Sequence, residues 1–199
     1  LASQAQAKYS QAMKLYYQDG QTGEAIARLD EAVTISREML AKSPEVQGKS
    51  PLRPPCNVLA RSLAMRAHIV TFANNNLDQA IADCTEAILS DPQCVLAHRH
   101  RGYVYGKKGE SDKAMADFDA AVRLDPTDRW NLSARAAEAT KRKEFDKAQA
   151  DVDQLIRLNP GDGNAYASRG EVHLARGDFE KAAADYDRAA EVGSISYHH

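Results

Sequence analysis

Residues 114–126 read "AMADFDAAVRLDP", and versions of this stretch stand 34 residues to either side. "AIADC" begins at Ala80, "AMADF" at Ala114, "AQADV" at Ala148 and "AAADY" at Ala182. Pro92, Pro126 and Pro160 keep the same spacing, each preceded by Asp or Asn. Gly102 and Gly170 lie two periods apart with Ala136 between them, and Gly109 and Gly177 do the same around Lys143. So many residue classes recurring at one period mark an internal repeat, which has to be read before any single motif.

Within a period the pattern is helical. Ala114, Met115, Phe118, Ala121 and Val122 make an apolar stripe at helical spacing, while Asp112, Lys113, Asp117, Asp119 and Arg123 fall on other faces. The segment before it carries Leu96, Ala97, Val104 and Tyr105 and stops near Gly109, where a positive φ is cheap. Each period therefore holds two short helices, and proline resets the chain at the boundary. The basic, aromatic stretch "HRHRGYVYGKKG" at 98–109 then reads as the first helix of a repeat and not as a loop.

These residues resemble the tetratricopeptide repeat (TPR) family. One copy carries Gly102, Tyr105, Ala114, Phe118, Ala121 and Pro126, and the last carries Tyr166, Gly170, Gly177, Phe179, Ala182, Tyr186 and Ala189. A looser copy has Leu132, Ala136, Ala139, Phe145, Ala148, Val152, Leu155 and Pro160. Another has Ala64, Leu77, Ala80, Cys84, Ala87 and Pro92, with His68 where a small residue is usual. The first has Tyr9, Tyr16, Gly20, Ala25, Leu29 and Ala32. The resemblance implies an all-α, right-handed solenoid of about five helix pairs, over residues 6–39, 61–94, 95–128, 129–162 and 163–194. Small residues let paired helices approach to ~8–10 Å and large ones fill the gaps.

The period breaks once. Ala25 and Ala80 are 55 residues apart, and the surplus lies in the proline-rich stretch 40–57. This predicts a lengthened second helix ending near Lys42, then a loop. At the other end Gly193 is expected to stop the last helix, leaving Ala183, Tyr186 and Ala190 as an apolar strip without the extra solvating helix usual in such arrays. The strip suggests either self-association through that end or a regulatory domain cut from a longer protein.

Composition narrows the function. Twenty-six Lys and Arg against 28 Asp and Glu give the 199 residues a net charge of −2, against a dedicated nucleic-acid binder. No apolar run has the ~18 residues of a membrane span. Three cysteines are too few for a disulfide framework and point to a reducing, cytoplasmic setting. Antiparallel pairing would bring Cys56 beside Cys94, with both thiols kept open in such a setting. His98 and His100 are two apart and point to different sides of a helix, so no metal site is expected, and no cofactor motif is present. Asp83, Asp117, Asp151 and Asp185 recur with the scaffold, which marks them as structural rather than catalytic.

By the resemblance, the first helices line a concave groove that holds a peptide or protein. The groove positions are Ser10, Gln11 and Lys14 in the first repeat and Ser62, Met65, Arg66 and Ile69 in the second. The third offers Leu96, Arg99, His100, Tyr103 and Lys107, the fourth Trp130, Ser133 and Lys141, and the fifth Asn164, Ser168 and Glu171. The excess of base predicts an acidic, extended or helical partner segment and a non-enzymatic adaptor. The carboxylate clamp of the family's heat-shock co-chaperones does not fit, because its positions fall on Ser10, Lys14, Arg66, Leu96 and His100.

Overall fold

Asp128 shows how a helix begins here. Its carboxylate accepts from the backbone N–H groups of Trp130 and Asn131 at 2.8 and 3.0 Å, which satisfies donors that no helical carbonyl can reach. Asp162, Asn57 and Asn76 cap in the same way, towards Asn164, Ala60 and Gln79. In the computed structural model, which describes residues 1–42 and 57–196, such starts open a chain of helices with no strand among the described residues. They are α1 (Ala2–Tyr17), α2 (Thr22–Lys42), α3 (Val58–Asn74), α4 (Leu77–Ser90) and α5 (Val95–Lys107). There follow α6 (Ser111–Leu124), α7 (Arg129–Lys141), α8 (Phe145–Leu158), α9 (Gly163–Arg176) and α10 (Phe179–Ser196). The lengthened α2 stops at Lys42; the proline-rich loop itself lies outside the described residues. Gly193 does not end α10, which runs on to Ser196.

Two compact units divide the chain, Leu1–Gly109 with α1–α5 and the part from Glu110 with α6–α10. In the first, Val33, Leu59, Leu63 and Ala97 form one buried cluster, and Leu29, Met65 and Ile69 another. In the second, Met115, Val152 and Val172 pack around Ala136, Ala139 and Ala148. The repeated alanines Ala25, Ala80, Ala114 and Ala148 are all 0 % exposed, as residues at the closest helix contacts must be. Cys84 is a buried thiol in the first unit. Contrary to the expected open thiol, Cys94 is disulfide-bonded; Cys56 lies outside the described residues. Among the described residues no helix is long and apolar enough to cross a membrane.

In three of the helix pairs a guanidinium joins the pair to the one before it. Arg135 grips Asp151 of its own pair through Nε and Nη2 at 2.7 and 2.5 Å, and reaches Asp119 on α6 through Nη1 at 3.0 Å. Arg169 repeats this with Asp185 and Asp153, and Arg66 with Asp83 and Asp30. Asp83, Asp151 and Asp185 are all less than a tenth exposed, so the recurring carboxylates are structural, as their periodicity implied. A paired charge at such a site is tolerated, whereas an orphaned one is costly.

The turn between paired helices uses one left-handed residue per repeat, at Asn75, Gly109, Lys143 and Gly177, each 34 after the last. Lys143 holds φ 61° without glycine's freedom. Lys143→Gly is expected to raise stability by about 1 kcal/mol, measured by urea denaturation. Asp151→Ala, which takes away the buried partner of Arg135 and leaves it only the half-exposed Asp119, should cost up to about 3 kcal/mol. Asp146→Ala, removing an exposed partner of Arg176, should cost under about 0.5 kcal/mol in the same assay.

Candidate functional site

In the first unit the leading helices of the pairs, α1, α3 and α5, carry a run of rings. Tyr17 meets Tyr16 edge-on at 5.0 Å, and Tyr16 meets His68 at 5.9 Å with its hydroxyl 3.4 Å from His68 Nε2. His68 lies 4.7 Å from Phe72 and 4.9 Å from His100. Phe72 then stacks on Tyr103 at 5.4 Å and 26° between planes. Three of these rings face solvent, with Tyr17 67 %, Phe72 55 % and Tyr103 39 % exposed. Such a surface can anchor apolar side chains while its hydroxyls stay wet.

The two imidazoles are neutral at pH 7. Burial holds His68 below the ordinary range, with the Arg99 charge adding to it. Burial pushes His100 down to about 3, helped by His68 and Arg99. Lys107 stands exposed beside this run and donates to the uncharged Asn75 side chain at 3.1 Å, so its charge is not neutralised there. His98, the other histidine of the opening basic stretch, meets the Pro92 carbonyl at 3.1 Å. No group of three or more His, Cys, Asp and Glu among the described residues could hold a metal ion.

In the second unit Trp130 is 61 % exposed, with Arg129 stacked over its ring at 5.0 Å. It borders a cleft of about 280 Å³ with Ser133 on α7, Leu155 on α8, and Asp162, Asn164, Ala165 and Ser168 at the start of α9. Lys141 is exposed and lies 3.4 Å from Glu138, a buried carboxylate. Glu171 is exposed on α9.

Arg66 is not a surface base. It is 16 % exposed and held between Asp83 and Asp30. Ser62, Met65 and Ile69 are buried too, so the whole second-repeat assignment is displaced. Thirteen residues separate Ala12 from Ala25 and Ala67 from Ala80, against twelve from Gly102 to Ala114, Ala136 to Ala148 and Gly170 to Ala182. The turn bonds show where the extra residue sits. Gln21 and Asn76 donate to carbonyls six residues back, those of Leu15 and Val70, whereas Glu144 and Asp178 donate only five back. Ala67, not His68, is thus the small packing residue of α3. His68 and Phe72 take the places that Tyr103 and Lys107 hold on α5. Lys14 matches the buried Ile69 and Val104 and leaves the ring-bearing face to Met13 and Tyr17. Phe72 was legible only through the additional asparagine in "ANNNLDQ" at 73–79.

The family model for the tetratricopeptide repeat matches residues 70–129 and 132–194. The chain belongs to the tetratricopeptide repeat family. No curated protein matches it in sequence. Among solved structures, MamA from Desulfovibrio magneticus RS-1, in its 41-end form, superposes with a TM-score of 0.72 at 14% identity, over 96% of each chain. YrrB, described as a TPR protein with an unusual peptide-binding site, gives 0.66 at 16% identity, over 93% of this chain and 84% of its own. TTC0263, a thermophilic TPR protein of Thermus thermophilus, gives 0.63 at 18%, over 94% and 90%. At these identities the likeness is one of fold, and the fold class is the all-α TPR solenoid.

The ring run makes this TPR protein sensitive to acid. Below about pH 6.5 the unfolded chain protonates His68 and His100 while the folded chain resists. Stability is full above that value and falls as pH drops towards the depressed folded values. Melting temperature should decline between about pH 6.5 and 5, and the His68→Gln, His100→Gln double variant should decline less. Equal slopes in scanning calorimetry would show that the imidazoles contribute nothing.

Proposed function

We propose that this chain is a non-enzymatic adaptor that holds an extended or helical, acidic segment of a partner protein against its leading helices. The stacked and exposed Phe72–Tyr103 pair carries this reading. Two rings pre-set on neighbouring helices offer an anchor that loses little entropy on binding, the kind of contact that dominates binding energy. Lys107 supplies positive charge beside the pair, which favours a carboxylate on the segment. The recurring carboxylates are committed to arginines, which favours a scaffold over acid–base chemistry.

A second reading has one observation of its own. Phe179, Ala183, Tyr186 and Ala190 are all exposed at helical spacing along α10. This face would let copies of the chain associate through α10, and sedimentation against concentration tests it.

The adaptor reading is tested with a fluorescent peptide of alternating Glu and Leu, followed by anisotropy. Binding should weaken steeply towards about 1 M salt, where the screening length falls to about 3 Å. Phe72→Ala with Tyr103→Ala should weaken it by about tenfold or more at unchanged helix content. Tight binding that ignores both salt and the double variant would overturn the reading.

A further inference from the structure

The cleft beside Trp130 carries polar groups that the scaffold does not use. Its floor is Leu155 and Ala165, 6 % and 3 % exposed, and one wall is the indole. Around these stand the hydroxyls of Ser133 and Ser168 and the amide of Asn164, none of which hydrogen-bonds another side chain or a carbonyl among the described residues. The two charged groups at the rim differ in what they have left to offer. Asp162 spends its Oδ1 on the Asn164 backbone N–H at 3.0 Å, capping α9. Arg129 forms no ion pair among the described residues and only stacks on the indole. The rim therefore carries one guanidinium and one carboxylate, and the guanidinium is the group with hydrogen-bond donors left to offer.

Size narrows the ligand. At about 280 Å³ the cleft is at the lower edge of cofactor and drug-sized sites, which suits one or two side chains of a chain lying across it. An apolar floor with an aromatic wall favours a flat ring, which can stack offset or edge-on against an indole. A planar, weakly hydrated guanidinium at the rim favours a carboxylate, which it can grip through two donors. The three uncharged polar groups can bond the backbone of the residue that carries the ring.

We infer that this cleft takes one aromatic side chain of a partner segment, with an Asp or Glu next to it in sequence meeting Arg129. The inference rests on the adaptor reading but uses a different unit from the Phe72–Tyr103 surface. It makes the partner more than acidic, because an aromatic residue has to stand among its carboxylates.

Trp130 is the chain's one tryptophan, so its emission reports on this cleft alone. The probe is a blocked peptide, Glu-Asp-Phe-Asp-Glu, which has no tryptophan of its own. One control replaces Phe by Ala and another replaces the acids by Lys. Emission is read on unlabelled peptides and total binding by anisotropy on fluorescein-labelled ones. The Phe peptide should shift the emission saturably, and the Ala and Lys peptides should bind about tenfold more weakly or less. Ser168→Phe, which fills the cleft, should abolish the shift. Arg129→Glu, which takes the exposed guanidinium off the indole, should weaken binding of the Phe peptide in anisotropy by about tenfold. Equal binding of the Phe and Ala peptides, or indifference to Arg129→Glu, would overturn the inference. Anisotropy without an emission change removes the cleft and leaves the adaptor reading standing. If no peptide binds in either readout, the adaptor reading fails and the cleft fails with it.

Discussion

One guanidinium shared between two carboxylates recurs through the structure, and much else follows from it. Arg66, Arg135 and Arg169 each hold an aspartate of their own helix pair and one from the pair before. The aspartate of the same pair is nearly buried in each case, so its attraction acts in a poor dielectric, whereas the aspartate of the preceding pair is a third to a half exposed. The link sets the rotation of a leading helix about its axis, because the arginine must point at both partners. Arg101, in the third repeat, donates to Thr85 at 3.2 Å, the place Asp119 takes for Arg135.

Once the arginines are committed in this way, the surface left for a partner is less basic than a count of charges implies. The first unit presents a line of rings with Lys107 exposed beside it, its imidazoles uncharged at neutral pH. In the second unit the leading helices present small residues around a single exposed indole. The recognition proposed above, which leans on aromatic contacts and uses charge to orient, draws on this distribution.

Small residues at a fixed spacing also explain where substitution is dangerous. A Cβ on Gly170 would come within 2.9 Å of the Tyr186 ring, so that helix contact admits nothing larger than hydrogen unless the tyrosine moves. The left-handed slot at Lys143 is the opposite case, where space is available and backbone conformation is the constraint.

The period of 34, the alternation of helices and the structural nature of the repeated aspartates were all legible in the sequence, because each is a property of spacing. So was the positive φ at Gly109, which glycine alone permits cheaply. The rotation of α1 and α3 was not. One extra residue at the end of a helix with 3.6 residues per turn swings every upstream side chain by about 100° relative to the frame carried back from later repeats. That moved Arg66 into an ion pair, buried Met65 and Ile69, set His68 against His100 and brought Phe72 to the surface beside Tyr103. The meeting of Trp130 with Ser168 and Leu155 likewise came only with packing, since the three lie on different helices. Spacing sets which helices form, whereas contact between helices chooses the face each one turns outward.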